Sequence, residues 1–222
     1  MIDIQNLDKN FISSENTVEI FSWLNFTLEA GDFISVIGPS GSGKSTFLNL
    51  LSGIDRDYTW DISLGGKSIW GLSDTQMTEF RGKNISYIFQ NFKLIENLTV
   101  GENIDLVVEL NNLERNFSTQ EILEIVWLSP KIDTYVYNLS GGESQRVAIA
   151  RAFVWKTKIL LADEPTGALD SVNKKIIMDL IVQLHTTIQN TIVLITHDPE
   201  VAELSRRSYK VADKGLILVS QK

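Results

Sequence analysis

Four short stretches of the chain are apolar without alternation: Phe33 to Ile37, Ile85 to Phe89, Ile159 to Ala162 and Ile192 to Ile195. A strand covered on both faces, as in a parallel sheet, carries this pattern, because crossover helices leave neither side wet. Between these runs the apolar period lengthens. Ile176, Ile177, Leu180, Ile181, Leu184 and Ile188 share one stripe of a helix that starts near Asp170 or Ser171. Thr46 to Leu51 forms another apolar-faced helix, stopping near Gly53. Strands alternating with helices predict an α/β fold.

Two segments break that rhythm. Trp60 to Leu64, the pair Gly65-Gly66 and Lys67 to Trp70 read as a β-hairpin, so a small antiparallel sheet is expected beside the core. Residues from about 98 to 150 read as mostly helical. There Thr99/Glu102, Ser118/Glu121 and Ser140/Glu143 each fit the capping box, in which hydroxyl and carboxylate each accept an exposed backbone N–H. A helical subdomain is therefore expected between the second and third core strands. No repeat, low-complexity tract or Pro/Gly/Ser linker divides the chain, which predicts one domain over residues 1–222.

Composition narrows the chemistry. Twenty Lys and Arg against 28 Asp and Glu leave a net charge of −8, which argues against holding nucleic acid by bulk charge. Without cysteine there is no disulfide, no thiolate metal site and no cysteine nucleophile. No basic stretch leads into an apolar core at the N-terminus, so no secretory signal is expected and the chain is placed inside the cell. No apolar run approaches the roughly 18 residues needed to cross a bilayer. Membrane work is expected to pass through a partner.

The decisive chemistry begins at Gly38-Pro39-Ser40-Gly41-Ser42-Gly43-Lys44-Ser45, which fits G-x-x-x-x-G-K-S/T. Strand 33–37 runs into it and the helix carrying Thr46 leaves it. Glycines there let successive N–H groups converge on phosphate oxygens, the helix dipole adds partial positive charge, Lys44 adds a full one, and the Ser45 hydroxyl can ligate Mg²⁺. A phosphate cradle alone leaves kinases, GTPases and many ATPases open. Three further strands also end in groups suited to phosphate chemistry: Gln90 after strand 85–89, Asp163-Glu164 after strand 158–162, and Thr196-His197 after strand 192–195. Convergence at the carboxyl edge of a parallel sheet is the expected layout of such a site.

At Leu139-Ser140-Gly141-Gly142-Glu143-Ser144-Gln145-Arg146 the chain resembles the ATP-binding cassette (ABC) ATPases, whose signature is close to LSGGQ and here reads LSGGE. The resemblance implies a P-loop NTPase (RecA-like) fold with a mostly parallel core sheet, a small antiparallel β-subdomain and an inserted helical subdomain. It implies ATP and Mg²⁺ as cofactors, with Gly38, Ser40, Gly41, Ser42, Gly43, Lys44, Ser45 and Thr46 around the phosphates. Ser45 and, through water, Asp163 would hold the metal, and Gln90 would touch the metal or the attacking water and report to the membrane partner. Glu164 would be the general base, His197 would contact the γ-phosphate, and Phe11 aligns with the aromatic that stacks on adenine. Two such chains would face head to tail, either copies of this chain or this chain and a similar one. Ser140, Gly141, Gly142 and Glu143 of one would then meet ATP held by Lys44 of the other, with Asp170 linking the two sites.

The implied partners are a transmembrane permease subunit on another chain and the second ATP-binding subunit, with no nucleic acid, at the cytoplasmic face of the membrane. Ala162 to Asp170 and Leu139 to Ala152 look most like the lipoprotein-release, macrolide and antimicrobial-peptide exporter group. A cell-division subunit of that group, a soluble ABC ATPase without a transporter and a small-molecule P-loop kinase are the rival readings. Phe92, Leu94 and Ile95, just after Gln90, are expected to line a groove that meets the membrane partner. The chain departs from the pattern at Phe11, which lacks the frequent tyrosine hydroxyl, and at Val136, where a proline commonly stands. Trp23, Trp127 and Trp155 match no motif and are expected to be packing residues.

Overall fold

The computed structural model describes residues 1–12 and 16–222. In chain order its elements are β1 (Ile2–Ile12), β2 (Thr17–Leu28), β3 (Phe33–Ile37), α1 (Lys44–Leu51), β4 (Thr59–Leu64), β5 (Lys67–Ser68), α2 (Asp74–Asn84), β6 (Ile85–Ile88), α3 (Val100–Asn111), α4 (Thr119–Ile125), α5 (Gly141–Phe153), β7 (Ile159–Asp163), α6 (Ser171–Ile188), β8 (Thr191–Ile195), α7 (Pro199–Ala202), β9 (Arg207–Ala212) and β10 (Gly215–Gln221). They group into two compact units, residues 1–81 with 190–222, and residues 82–189.

The first unit holds an antiparallel sheet in the order β2-β1-β4-β5 and the strands β10-β9-β3-β8. Strand β3 runs parallel to both β8 and β9, while β9 and β10 are antiparallel. The expected hairpin is β4-β5, turned at Gly65-Gly66. Its return strand stops at Ser68 rather than Trp70, because the Trp70 amide donates to Ser68 Oγ (3.2 Å) and the chain bends away. Phe21 and Phe26 of β2, Phe47 of α1 and Tyr209 of β9 form an edge-to-face chain with ring centroids 6.0, 5.5 and 5.1 Å apart. Those four buried rings fix α1 between the two sheets, and with it the loop that α1 terminates. A full charge, on Lys9, is buried in the same unit. Lys9 Nζ donates to Asp55 Oδ1 (2.9 Å) and to the Asp57 carbonyl (2.6 Å), so the ammonium is paired rather than stranded.

In the second unit β6 and β7 are parallel, with Ile85 opposite Ile159 and Ile88 opposite Ala162. Strand β6 ends one residue before Phe89, whose carbonyl already accepts the Phe92 amide (3.1 Å) in a turn. All three capping boxes form as expected: the Thr99, Ser118 and Ser140 hydroxyls accept the amides of Glu102, Glu121 and Glu143 at 3.2, 3.2 and 3.3 Å, and each glutamate accepts the cap amide in return. They open α3, α4 and α5 between β6 and β7, where the helical segment was expected. Ser86 Oγ donates to the Ala152 carbonyl (2.8 Å), fastening the end of α5 to β6.

The tryptophans divide. Trp155 is buried, as expected of a packing residue, but Trp23 and Trp127 are 66 % and 60 % exposed. Both sit at positive φ, +51° and +57°, at an irregularity of β2 and just past α4. Left-handed backbone at those points takes the residue out of the local inward face, a turn that alternation of apolar positions does not reveal.

Replacing Phe47 with alanine removes a fully buried ring from the chain of four. The expected loss is about 3–5 kcal/mol of unfolding free energy, read from urea denaturation.

Candidate active site

Loop 38–43 joins β3 to α1. Gly43 caps α1 at φ +104°, and a methyl group there would stand 2.6 Å from Ile20 Cγ2, so both conformation and space demand glycine. The first intrahelical bond is donated by Phe47 to the Gly43 carbonyl (2.9 Å), leaving the amides of Lys44, Ser45 and Thr46 without intrahelical acceptors. No acidic residue occupies that first turn. Lys44 is 7 % exposed, and its Nζ donates to the carbonyls of Gly38 and Pro39, both at 2.9 Å. Ser42 Oγ is buried without a hydrogen-bond partner. An orphaned hydroxyl, unspent helix-terminal amides and a cation folded into the loop fit the phosphates of a nucleotide.

The strand registers place the remaining groups. Val36 lies opposite Ile195, so Gly38 and His197 each stand two residues past a paired position. Thr196 holds this edge closed, its amide donating to the Val36 carbonyl (3.2 Å) and its Oγ1 accepting the Asp198 amide (3.0 Å). His197 is exposed beyond it. In the second unit Ile88 lies opposite Ala162, so Gln90 and Glu164 have the same offset. They do come together: Gln90 Nε2 and Glu164 Oε2 lie 3.1 and 3.2 Å from the point where a side chain on Gly167 would begin. Glu164 has φ +44°, unusual for a residue with a side chain, and the Gly167 amide donates to its carbonyl (3.0 Å). Asp163 ends β7. Its charge adds to burial in pushing the Tyr87 hydroxyl well above the usual phenol range.

Ser140 and Gly141 are exposed at the start of α5. Glu143 accepts the Ser140 amide (2.9 Å) and pairs with Lys131. The Lys131 ammonium, and then the Ser140 amide, hold its carboxyl down at about 2. A glutamate here therefore does what a glutamine could not, pairing with a cation while closing the cap. Asp170 caps α6 and is exposed, its carboxyl held below the usual range by the backbone and side-chain N–H groups of Asn173. Phe11 is not a core residue. It is 45 % exposed, with Lys9 Nζ 4.5 Å from its ring centroid.

One contact was not anticipated from the sequence. Arg151 donates to the carbonyls of Lys93 (2.7 Å) and Phe92 (2.9 Å), whose backbones are both left-handed at φ +48° and +60°. Its signal was visible: Arg151 is the one charged residue between Val147 and Phe153. The groove expected after Gln90 is present, about 300 Å³ in volume and lined by Tyr87, Phe89, Lys93, Ile95, Leu106 and Arg151, among others. Of the three residues expected to line it only Ile95 does. The double left-handed kink turns Phe92 elsewhere, and its ring Cζ lies 4.0 Å from where a side chain on Gly141 would begin.

Comparison with known proteins now decides the family, since residues 21–167 match the one described as ABC transporter. The chain belongs to the ABC transporter family. The uncharacterized ABC transporter ATP-binding protein YvrO of Bacillus subtilis is 38% identical to it over 221 residues, 98% of this chain and 96% of that protein. The bacitracin export ATP-binding protein BceA of Halalkalibacterium halodurans is 34% identical over 216 residues, 96% of this chain and 85% of its own. Among solved structures, the dimeric post-hydrolysis state of the ATP-binding cassette MJ0796 bound to ADP and Pi matches with TM-score 0.85 and 33% identity, covering 97% and 96% of the two chains. This ABC protein is accordingly an ATPase that takes ATP with Mg²⁺, in a P-loop fold. Among the described residues no group of three or more His, Asp or Glu side chains could hold a metal alone. No helix among the described residues is long and apolar enough to cross a membrane.

Glu143→Gln keeps the cap but gives up the pair with Lys131. At neutral pH it should cost about 1 kcal/mol, as expected of a partly exposed charge-assisted hydrogen bond. Because the folded-state pKa is depressed, this stability is present above the ordinary carboxylate range and lost as pH falls toward about 2. Melting curves of wild type and variant should therefore converge as the pH is lowered below about 5.

Proposed function

We propose that this chain hydrolyses ATP in a site shared between two cassettes and passes the closure of that pair to a membrane subunit on another chain. The observation that carries the reading is the signature turn. Ser140 and Gly141 stand exposed at a fully capped helix N-terminus, presented outward where a second chain can use them. The dimeric state of MJ0796 with ADP and Pi supports the pairing.

Each residue then has a task. The amides of Gly41 to Thr46 and the Lys44 ammonium bind phosphate oxygens, while Phe11 offers a ring face to adenine. Ser45 and Gln90 ligate Mg²⁺, and Asp163 reaches it through water. Bound Mg²⁺ supplies charge neutralisation on the phosphates. Glu164 accepts the proton of the attacking water, with the Gln90 amide beside its carboxylate to order that water. His197 steadies the γ-phosphate. Residues 1–222 act as one ATP-binding domain at the cytoplasmic face of the membrane. The likeness to BceA favours an exporter-type partner.

Lys44→Ala removes the one full positive charge of the cradle and should abolish measurable ATP hydrolysis while leaving the fold intact. Retained turnover in a folded variant contradicts the assignment. Glu164→Gln should bind ATP but not split it, accumulating an ATP-dependent dimer on sizing chromatography. Monomer alone at high concentration, with ATP and Mg²⁺ present, contradicts a homodimer.

The groove between the loop after Gln90 and α3 is the expected seat of the membrane subunit. Leu110 of α3 also lines it and is 73 % exposed, so a charge there leaves the core alone. Leu110→Glu should hydrolyse ATP as wild type does while losing co-purification with any membrane protein from solubilised membranes. Undiminished co-purification of the folded variant places the contact elsewhere.

A further inference from the structure

We infer that Asn173 is a positioning residue that ties Asp170 to the signature turn of its own chain. One cassette thereby presents both contacts to its partner in a fixed register. The inference rests on the shared-site reading above and assigns a role to a residue outside the ABC motifs.

The geometry is specific. Asp170 Oδ1 accepts the amides of Val172 and Asn173, both at 3.0 Å, which completes the cap of α6. Its other oxygen is left over for a different purpose, and Oδ2 accepts Asn173 Nδ2 at 2.6 Å. That bond fixes the amide's orientation, because only its nitrogen can donate to a carboxylate. Asn173 Oδ1 then faces Gly142. A methyl group on Gly142 would lie 2.9 Å from that oxygen and 3.1 Å from Asn173 Cγ. Gly142 is the second residue of α5 and is not among the positive-φ glycines, so close approach, and not backbone conformation, is what a side chain at this position would violate.

One planar amide is thus hydrogen-bonded to the exposed carboxylate of Asp170 at one end and packed against Gly142 at the start of α5 at the other. Asp170 is the group expected at the contact between cassettes, and Ser140 to Gly142 are the groups expected on the partner's ATP. A shift at either end moves Asn173 and is felt at the other. Helix capping alone gives no reason for the second bond, since the cap is already complete with Oδ1.

The test is complementation between variants. Asn173→Ala should bind a fluorescent ATP analogue as wild type does, because the cradle at 38–46 is untouched, while its ATPase rate falls roughly tenfold, the worth of one charge-assisted hydrogen bond. Mixed with inactive Lys44→Ala, it should recover activity. The mixed dimer has one site with an intact cradle from the Asn173→Ala chain and an intact signature from the Lys44→Ala chain. Ser140→Ala mixed with Lys44→Ala serves as the reference. Recovery in both mixtures supports the inference. Recovery with Ser140→Ala alone means that Asn173 acts on its own chain's site, which overturns it. Recovery in neither mixture removes the shared site itself, and the inference with it. As a second variant, Asn173→Asp sets carboxylate against carboxylate and should lose more activity than Asn173→Ala. Adding Asp170→Asn to it restores a donor, keeps a competent cap, and should return part of the loss; no return contradicts the hydrogen bond's role.

Discussion

Backbone turned left-handed at the ends of core strands is the constraint on which the site depends. The chain leaves β3 through loop 38–43, where at Gly43 both the angle and the space demand glycine, and it leaves β7 through Glu164 at φ +44°. After β6 it turns at Phe92 and Lys93. For a residue with a Cβ each such turn costs on the order of 1 kcal/mol or more, so it persists only where neighbours over-determine it. Here they do. The ring chain through Phe47 fixes α1, the Gly167 amide holds the Glu164 carbonyl, and Arg151 clasps the carbonyls of Phe92 and Lys93. Strain at the strand ends is offset by packing and hydrogen bonds behind them.

The same arrangement explains how an acidic protein binds a polyanion. Net charge is −8, yet the cradle keeps an acid-free helix start and a nearly buried ammonium within its own loop. Local donors decide binding where the loop excludes water, and the distant carboxylates are screened. Glutamate in the signature follows the same logic. Its charge is neutralised by Lys131 and by the cap, so it stands in the turn as a paired group and not as a free anion.

What the chain revealed in advance was what is local. Apolar runs marked β3, β6, β7 and β8 to within a residue at most ends, and the three capping boxes opened α3, α4 and α5 where their spacing placed them, because each box closes within four residues. The candidate phosphate-binding groups were placed for the same reason: they follow strands directly. Contacts set by long-range approach were not. Nothing near Asn173 in sequence points to Gly142, and the buried pairing of Lys9 with Asp55 joins β1 to the loop after α1, 46 residues away. Trp23 and Trp127 misled because a single left-handed residue reverses the inward face that periodicity assigns. Phe92 misled likewise, the double kink bringing Lys93 and Ile95 into the groove in its place.

The proposal that the signature turn of a second cassette completes each nucleotide site, so that no cassette turns over alone, is the account's central claim. Its most direct test is the ATPase rate per molecule of the purified chain, with saturating ATP and Mg²⁺, measured across a wide range of protein concentration. The account predicts a rate per molecule that climbs with concentration and levels off as dimers fill. A rate per molecule that stays constant down to the lowest concentration assayed, with monomer as the species present, would contradict it.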